Sequence, residues 1–212
     1  MKIILTAVNA KYIHSNLAVY TLQASAEKAG VFPAIREFTI NQSKDSMLRS
    51  LFLARADVVC VSCYIWNISI VEDLITEYHK ISPKTKIWLG GPEVSYHAEE
   101  MLEQYPFLAG IMKGEGEVTF REIAVYYQNQ ENGMEGKTLE EIHGITYRDA
   151  DGAVKSNPWR PVMDLSEVDF PYANLKKFEN RIIYYESSRG CPFSCSYCLS
   201  SVEKQLRFRD AE

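Results

Sequence analysis

Three cysteines near the carboxyl end, Cys191, Cys195 and Cys198, are spaced four and then three residues apart. Thiolates in that pattern can hold an iron–sulfur cluster while one metal position stays free of protein. A fourth cysteine would suit electron storage or a closed structural site. A free position on iron is where a substrate or cofactor can bind. The same residues also read as a zinc half-site or as ordinary thiols. Zinc favours four protein ligands in structural sites, or three plus water in catalytic ones, and no further cysteine or histidine lies within twenty-five residues of the triad.

The run Gly190-Cys191-Pro192-Phe193-Ser194-Cys195-Ser196-Tyr197-Cys198, with an aromatic residue directly before the last cysteine, resembles the signature of the radical S-adenosylmethionine (radical SAM) superfamily. The resemblance implies that the three thiolates carry a [4Fe-4S] cluster, with the amino and carboxyl groups of S-adenosylmethionine chelating the fourth iron. Reductive cleavage there would give methionine and a 5'-deoxyadenosyl radical. It also implies that the cysteines follow the first strand of a (β/α) barrel, at the end where barrel active sites sit. Residues 181–188 are expected to supply that strand and residues 202–209 to begin the first helix. Only fourteen residues follow Cys198, so the sequence is expected to be the amino-terminal part of a larger enzyme and inactive by itself. A lone barrel strand has no partners for its backbone groups, and residues 181–212 are therefore expected to be poorly anchored.

The triad must be positioned by what precedes it. In 212 residues there is room for one domain of about 150 residues and an extension, and 46% hydrophobic residues support a real core. The longest apolar runs, such as Ile3-Ile4-Leu5 and Val58-Val59-Cys60-Val61, are of strand length and far short of a membrane span. The first residues lack the apolar stretch and cleavage site of a secretory signal. Five cysteines, an odd number, fit a reducing, cytoplasmic location better than a disulfide scaffold. A net charge of −5 without a basic block argues against direct, nonspecific nucleic-acid binding by these residues.

Apolar strand candidates at residues 2–7, 34–38, 57–62, 86–89 and 109–112 alternate with amphipathic segments at 16–29, 43–55, 68–81, 97–104 and 117–128. Strands apolar on both faces with helices between them predict a parallel sheet. The expected fold is α/β, a flavodoxin-like (Rossmann-like) five-stranded parallel sheet of order 2-1-3-4-5 with helices on both faces. Ligands on such a sheet lie over the carboxyl ends of the strands, near the switch between strands 1 and 3. The loops after strands 4 and 5, Gly90-Gly91-Pro92-Glu93 and Lys113-Gly114-Glu115-Gly116-Glu117, are rich in glycine. Glycine lets backbone approach a bulky group, and the helix amides that follow favour an anion. Each loop alone also reads as a tight turn with a helix cap.

Taken with Ala56-Asp57-Val58-Val59-Cys60-Val61-Ser62 and Gly114-Glu115-Gly116-Glu117-Val118-Thr119-Phe120, these loops resemble the cobalamin-binding domain that precedes many radical SAM barrels. The likeness runs from about residue 2 to residue 127. It implies that the corrin ring lies across the carboxyl edge of the sheet. Ser62 and Tyr64 would face the ring, Gly90, Gly91 and Glu93 would line the nucleotide tail, and Gly114, Glu115 and Gly116 would pack close to it. The loop after strand 1, with Asn9, Tyr12 and His14, would cover the switch point. The DxHxxG motif of classical methionine synthase-like domains, whose histidine coordinates cobalt, is absent. His14 stands open to three roles: cobalt ligation, a helix-start or hydrogen-bonding role, or contact with ring or tail. Trp66 could stack on the corrin or serve in a core or lid. Cys60 and Cys63 have CxxC spacing, but a buried strand thiol and a pocket-wall thiol are expected rather than a redox pair. Methylthiotransferases of similar architecture carry three cysteines in this part, and here there are two. His79, His97 and His143 read as ordinary packing or surface residues. A phosphoacceptor domain would need an acidic cluster beside the first strand, which is absent.

Residues 128–136 form a polar linker. Residues 142–148 alternate, meet the turn Asp149-Ala150-Asp151-Gly152 and lead to Ala153-Val154-Lys155, which predicts a hairpin. A proline-containing strap follows. The expected organisation is residues 1–130 for cobalamin, 131–180 for hairpin and linker, and 181–212 for the start of a radical SAM domain. The family resemblance implies methyl transfer to an unactivated carbon through the adenosyl radical and methylcobalamin, with a reducing partner such as flavodoxin or ferredoxin. The substrate is a small molecule or a modified macromolecule, not readable from these residues. Rearrangement or cyclisation is the alternative chemistry, and a non-catalytic cobalamin-binding module is the alternative for these residues alone.

Overall fold

The structure, a computed structural model, describes residues 1–172 and 174–210. Strands β1 (Ile3–Asn9), β2 (Ala34–Thr39), β3 (Val58–Ser62), β4 (Lys86–Gly90) and β5 (Leu108–Met112) lie parallel in the order 2-1-3-4-5. Helices α1 (Leu17–Lys28), α2 (Lys44–Ala54), α3 (Ile68–Ile81), α4 (Ala98–Gln104) and α5 (Gly116–Asn132) cover both faces. All seven residues of β1 are buried, and alternate side chains feed opposite cores. Ile4, Val8, Val59, Val61, Ile87 and Leu89 pack with Met47, Leu51, Leu74, Tyr78 and Leu102 of α2, α3 and α4. Leu5, Ala7, Val58, Cys60 and Trp88 pack with Val19, Ala26, Phe120, Ile123 and Ala124 of α1 and α5. Caps set the helix ends: Asn16 accepts from Val19 N at 3.4 Å, Ser43 accepts from Ser46 N at 3.3 Å, and Gly133 closes α5 at φ +63°.

The sheet has seven strands rather than five. The hairpin β6 (Ile145–Arg148) and β7 (Val154–Ser156) joins the free edge of β5 antiparallel. The alternation of Ile145 and Tyr147 explains this, because both become buried beside Trp88 only if β6 extends the sheet. Asp149 Oδ1 closes the predicted turn by accepting from Asp151 N at 3.0 Å and Ala153 N at 2.9 Å.

The carboxyl-terminal segment departs from expectation. Residues 181–187 form no strand beyond one parallel bridge between Ile182 and His14. Only Ser188–Arg189 (β8) is extended and paired, and it pairs antiparallel with Arg207–Phe208 (β9), where a helix was expected. Nor is the segment loose. Ile182 N donates to Ile13 O at 2.6 Å and Ser15 N to Ile182 O at 3.1 Å. Arg181 donates to Glu37 Oε2 at 2.7 Å and to His14 O at 2.7 Å. The domain supplies partners that a barrel would otherwise have to provide. Among the described residues no helix is long and apolar enough to cross a membrane.

Candidate functional site

At the carboxyl ends of β3, β4 and β5 the chain encloses a largely apolar cavity of about 830 Å³. Its floor comes from Ser62, Gly90, Gly91 and Met112, one side from the first turns of α1, and the other from Trp159 and Tyr96. Residues flanking the cysteine motif, including Arg189, Gly190, Leu199 and Arg207, form the far wall.

Tight loop geometry builds the floor. Gly91 adopts φ +114°, and a Cβ there would lie 2.5 Å from Cys63 O. The two loops touch because Cys63 N donates to Gly90 O at 2.7 Å. Buried Asn67 pins the loop after β3, its Nδ2 donating to Val8 O at 3.0 Å and Ser62 O at 3.1 Å while its Oδ1 accepts from Tyr64 N at 2.8 Å. Ser95 joins the two glycine loops, donating to Gly91 O at 2.8 Å and accepting from Gly114 N at 3.2 Å. Lys113 holds the strap that carries Trp159. Its Nζ donates to Ser156 Oγ at 2.9 Å and Asn157 O at 3.0 Å and lies 5.3 Å from the Trp159 ring centroid. Burial lowers the Lys113 pKa.

Seven expected residues meet on the wall: Ser62, Tyr64, Gly90, Gly91, Gly114, Glu115 and Gly116. Tyr64 stacks on Trp66 with ring centroids 4.4 Å apart, so Trp66 backs a wall residue, and burial raises the Tyr64 pKa. Glu115 is occupied by protein partners. Its carboxylate accepts from Met163 N at 2.9 Å and from Arg207 at 3.2 Å and 2.5 Å. Burial alone would raise its pKa, and the bonds from Arg207 and Met163 bring it below the ordinary value.

Asn9, Tyr12, His14 and Glu93 lie off this wall. Asn9 donates to Glu37 Oε1 at 2.8 Å and His14 O at 3.1 Å, which shapes the loop after β1. His14 pairs through Nδ1 with the Tyr184 hydroxyl and stacks on that ring at 5.9 Å between centroids. Tyr12 is exposed beneath the Arg181 guanidinium. The loop after β1 thus receives residues 181–184 instead of facing the cavity. Cys60 and Cys63 belong to opposite cores, so the CxxC spacing makes no pair. The pocket-wall thiol is Cys60, whereas Cys63 is fully buried and pushed up to about 12 by burial. Trp159, Ser95, Arg189 and the start of α1 were not expected here. The one sequence cue was Pro158-Trp159-Arg160-Pro161, an aromatic between two prolines in the strap.

The cavity fits a flat, bulky, mostly apolar group. Five glycines line it, and the loop crossing at Gly91 has no room for a side chain. Cys191 and Cys198 are half-buried and Cys195 is exposed, all as free thiols. They supply the soft donors a cluster needs. Among the described residues no three His, Cys, Asp or Glu side chains converge on a metal-sized point.

Glycine loops over the carboxyl edge of a doubly wound sheet define a ligand-binding α/β domain. Residues 3–124 match the B12 binding domain family, and the chain belongs to that family. It is 28% identical over 159 residues to the cobalamin-dependent radical SAM methyltransferase TokK of Streptomyces tokunonensis, covering 69% of this chain and 22% of TokK. It is 24% identical over 173 residues to the anaerobic magnesium-protoporphyrin IX monomethyl ester cyclase of Cereibacter sphaeroides, covering 78% of this chain and 27% of that protein. The solved structure of the cobalamin-dependent S-adenosylmethionine radical enzyme OxsB with aqua-cobalamin and S-adenosylmethionine bound superposes with a TM-score of 0.73 at 24% identity. The match covers 97% of this chain and 30% of that one, and it shows a shared fold. The chain thus spans under a third of each of these proteins.

Proposed function

We propose that this chain binds cobalamin in the cavity at the carboxyl edge of its sheet and serves a cobalamin-dependent radical SAM methyltransferase acting on an unactivated carbon. The observation that carries the reading is the meeting of the β3, β4 and β5 loops with the flank of CxxxCxxC around one apolar cavity. When bound, cobalamin would supply a transferable methyl group, and a [4Fe-4S] cluster with S-adenosylmethionine would supply the radical that prepares the acceptor carbon. Ser62 and Tyr64 would contact the ring, and Gly90, Gly91, Gly114 and Gly116 would leave room for the tail. Cys191, Cys195 and Cys198 would hold the cluster. Tyr96 and Trp159, tilted against each other with centroids 5.3 Å apart, would shield the cavity from water. The likeness to a cyclase favours ring closure as the second reading.

Anaerobic reconstitution with iron and sulfide tests the cluster assignment. We expect about four irons per chain with the absorption of a [4Fe-4S] centre, and none when the three cysteines are changed together to alanine. Equal iron in both proteins would refute the assignment.

A further inference from the structure

The loop from Gly190 to Leu206 carries all three cysteines and stands on two feet, Arg189 and Arg207. These are direct cross-strand partners in the β8 and β9 pair. Like charges directly opposite one another destabilise a strand pair, and a two-stranded ribbon is marginal even without them. The crossing is also close, since a Cβ on Gly190 would lie 2.3 Å from Gln205 O, and Cys191 N donates to Glu203 O at 3.1 Å.

Compensation comes from outside the ribbon, from the glycine loop after β5 and the first turn of α5. Glu115 grips Arg207 with both carboxylate oxygens and reaches Arg189 at 3.4 Å. Glu117 receives both terminal nitrogens of Arg189, at 2.6 Å and 3.3 Å. Glu186 accepts two further bonds from Arg189, at 2.6 Å and 3.0 Å. Arg207 and Glu117 retain only 9% and 7% side-chain exposure, so solvent screens these pairs little.

We infer that Glu115 and Glu117 are positioning residues that hold the two arginine feet of the cysteine loop together, so that occupancy of the cavity and placement of the cysteines are coupled. The clamp stands on contacts within the protein, and the coupling to cavity occupancy rests on the proposed cobalamin reading. Two bidentate carboxylates fix orientation as well as proximity. A ligand that orders the glycine loop orders Glu115, and by reciprocity an ordered cysteine loop favours the ligand.

Iodoacetamide labelling of the reduced, ligand-free protein, read at each cysteine by mass spectrometry, tests the clamp. Glu115→Gln keeps the shape and removes the charge. Labelling of half-buried Cys191 should accelerate at least about fivefold, while exposed Cys195 changes little. Adding Arg207→Gln removes the repulsion and should slow Cys191 labelling again, a reversal that loss of packing would not produce. Glu117→Gln provides the same comparison if Glu115→Gln does not fold. Unchanged Cys191 labelling in the folded variants, or further acceleration in the double variant, overturns the inference. Saturating hydroxocobalamin should slow Cys191 labelling in the wild type and not in Glu115→Gln. Absence of hydroxocobalamin binding by the wild type would remove the cobalamin reading, and the ligand-free comparison would still decide the clamp.

Discussion

Changing Gly91 to alanine is expected to cost about 2–3 kcal/mol of folding stability and to weaken hydroxocobalamin binding severely. Its φ of +114° is a conformation that L side chains rarely adopt. A Cβ would lie 2.5 Å from Cys63 O and 3.1 Å from Cys63 N, both backbone atoms that cannot swing aside. The same residues stitch the β3 loop to the β4 loop through the bond from Cys63 N to Gly90 O, so relief of the clash must open the cavity floor. Gly30 is the control: its φ is +79° but nothing lies within 4 Å of a Cβ there, so its alanine variant should lose about 1 kcal/mol and bind normally. Urea denaturation of both variants, with parallel titrations, separates strain alone from strain plus collision.

Glu37→Gln is expected to destabilise by about 2–3 kcal/mol and to free residues 181–184 from the domain. Glu37 gathers Arg181 at 2.7 Å, the Tyr20 hydroxyl at 2.6 Å, Asn16 N at 2.9 Å and Asn9 Nδ2 at 2.8 Å. A glutamine leaves the Arg181 guanidinium, 16% exposed, without its counter-charge. Burial works to raise the Glu37 pKa, but Arg181, Tyr20, Asn16 and Asn9 together pull it below the ordinary value. Burial first, then Glu37, raises the Tyr20 pKa. Because the folded carboxyl pKa is depressed, its contribution is present above the unfolded value and fades as pH falls through the folded one. The wild type should therefore lose stability faster than Glu37→Gln as pH falls below about 4.5. Denaturation midpoints measured across that range check the sign, and parallel curves would contradict it.

The parallel sheet was legible because β1 and β3 are apolar on both faces, a pattern suited to a strand covered by helices on two sides. The glycine loops were legible for a related reason, since consecutive glycines at a strand end mark backbone that cannot carry side chains. What escaped the sequence is long-range. Nothing local in Ile145-Thr146-Tyr147-Arg148 says that its hairpin will extend the edge of β5. Nor do the residue types around His14 reveal that the loop after β1 binds residues 181–184 rather than a ligand. That choice depends on Glu37, Arg181 and Tyr184, which lie far apart in the chain. Residues 181–188 were expected as a strand by the radical SAM resemblance, yet one strand without neighbours takes whatever partners the domain offers. Glu115 is the instructive case: it lines the cavity as its loop position suggested, while Arg207, 92 residues away, takes up its charge.

The central claim is that the cavity over β3, β4 and β5 is a cobalamin site, and visible-spectrum titration of the 212-residue protein with hydroxocobalamin tests it directly. Saturable binding near one equivalent is expected for the wild type. His14→Ala should give the same bound spectrum, because His14 pairs with Tyr184 and lies off the cavity wall. Absence of saturable binding would contradict the cobalamin assignment, and a bound spectrum altered by His14→Ala would contradict the placement of the site.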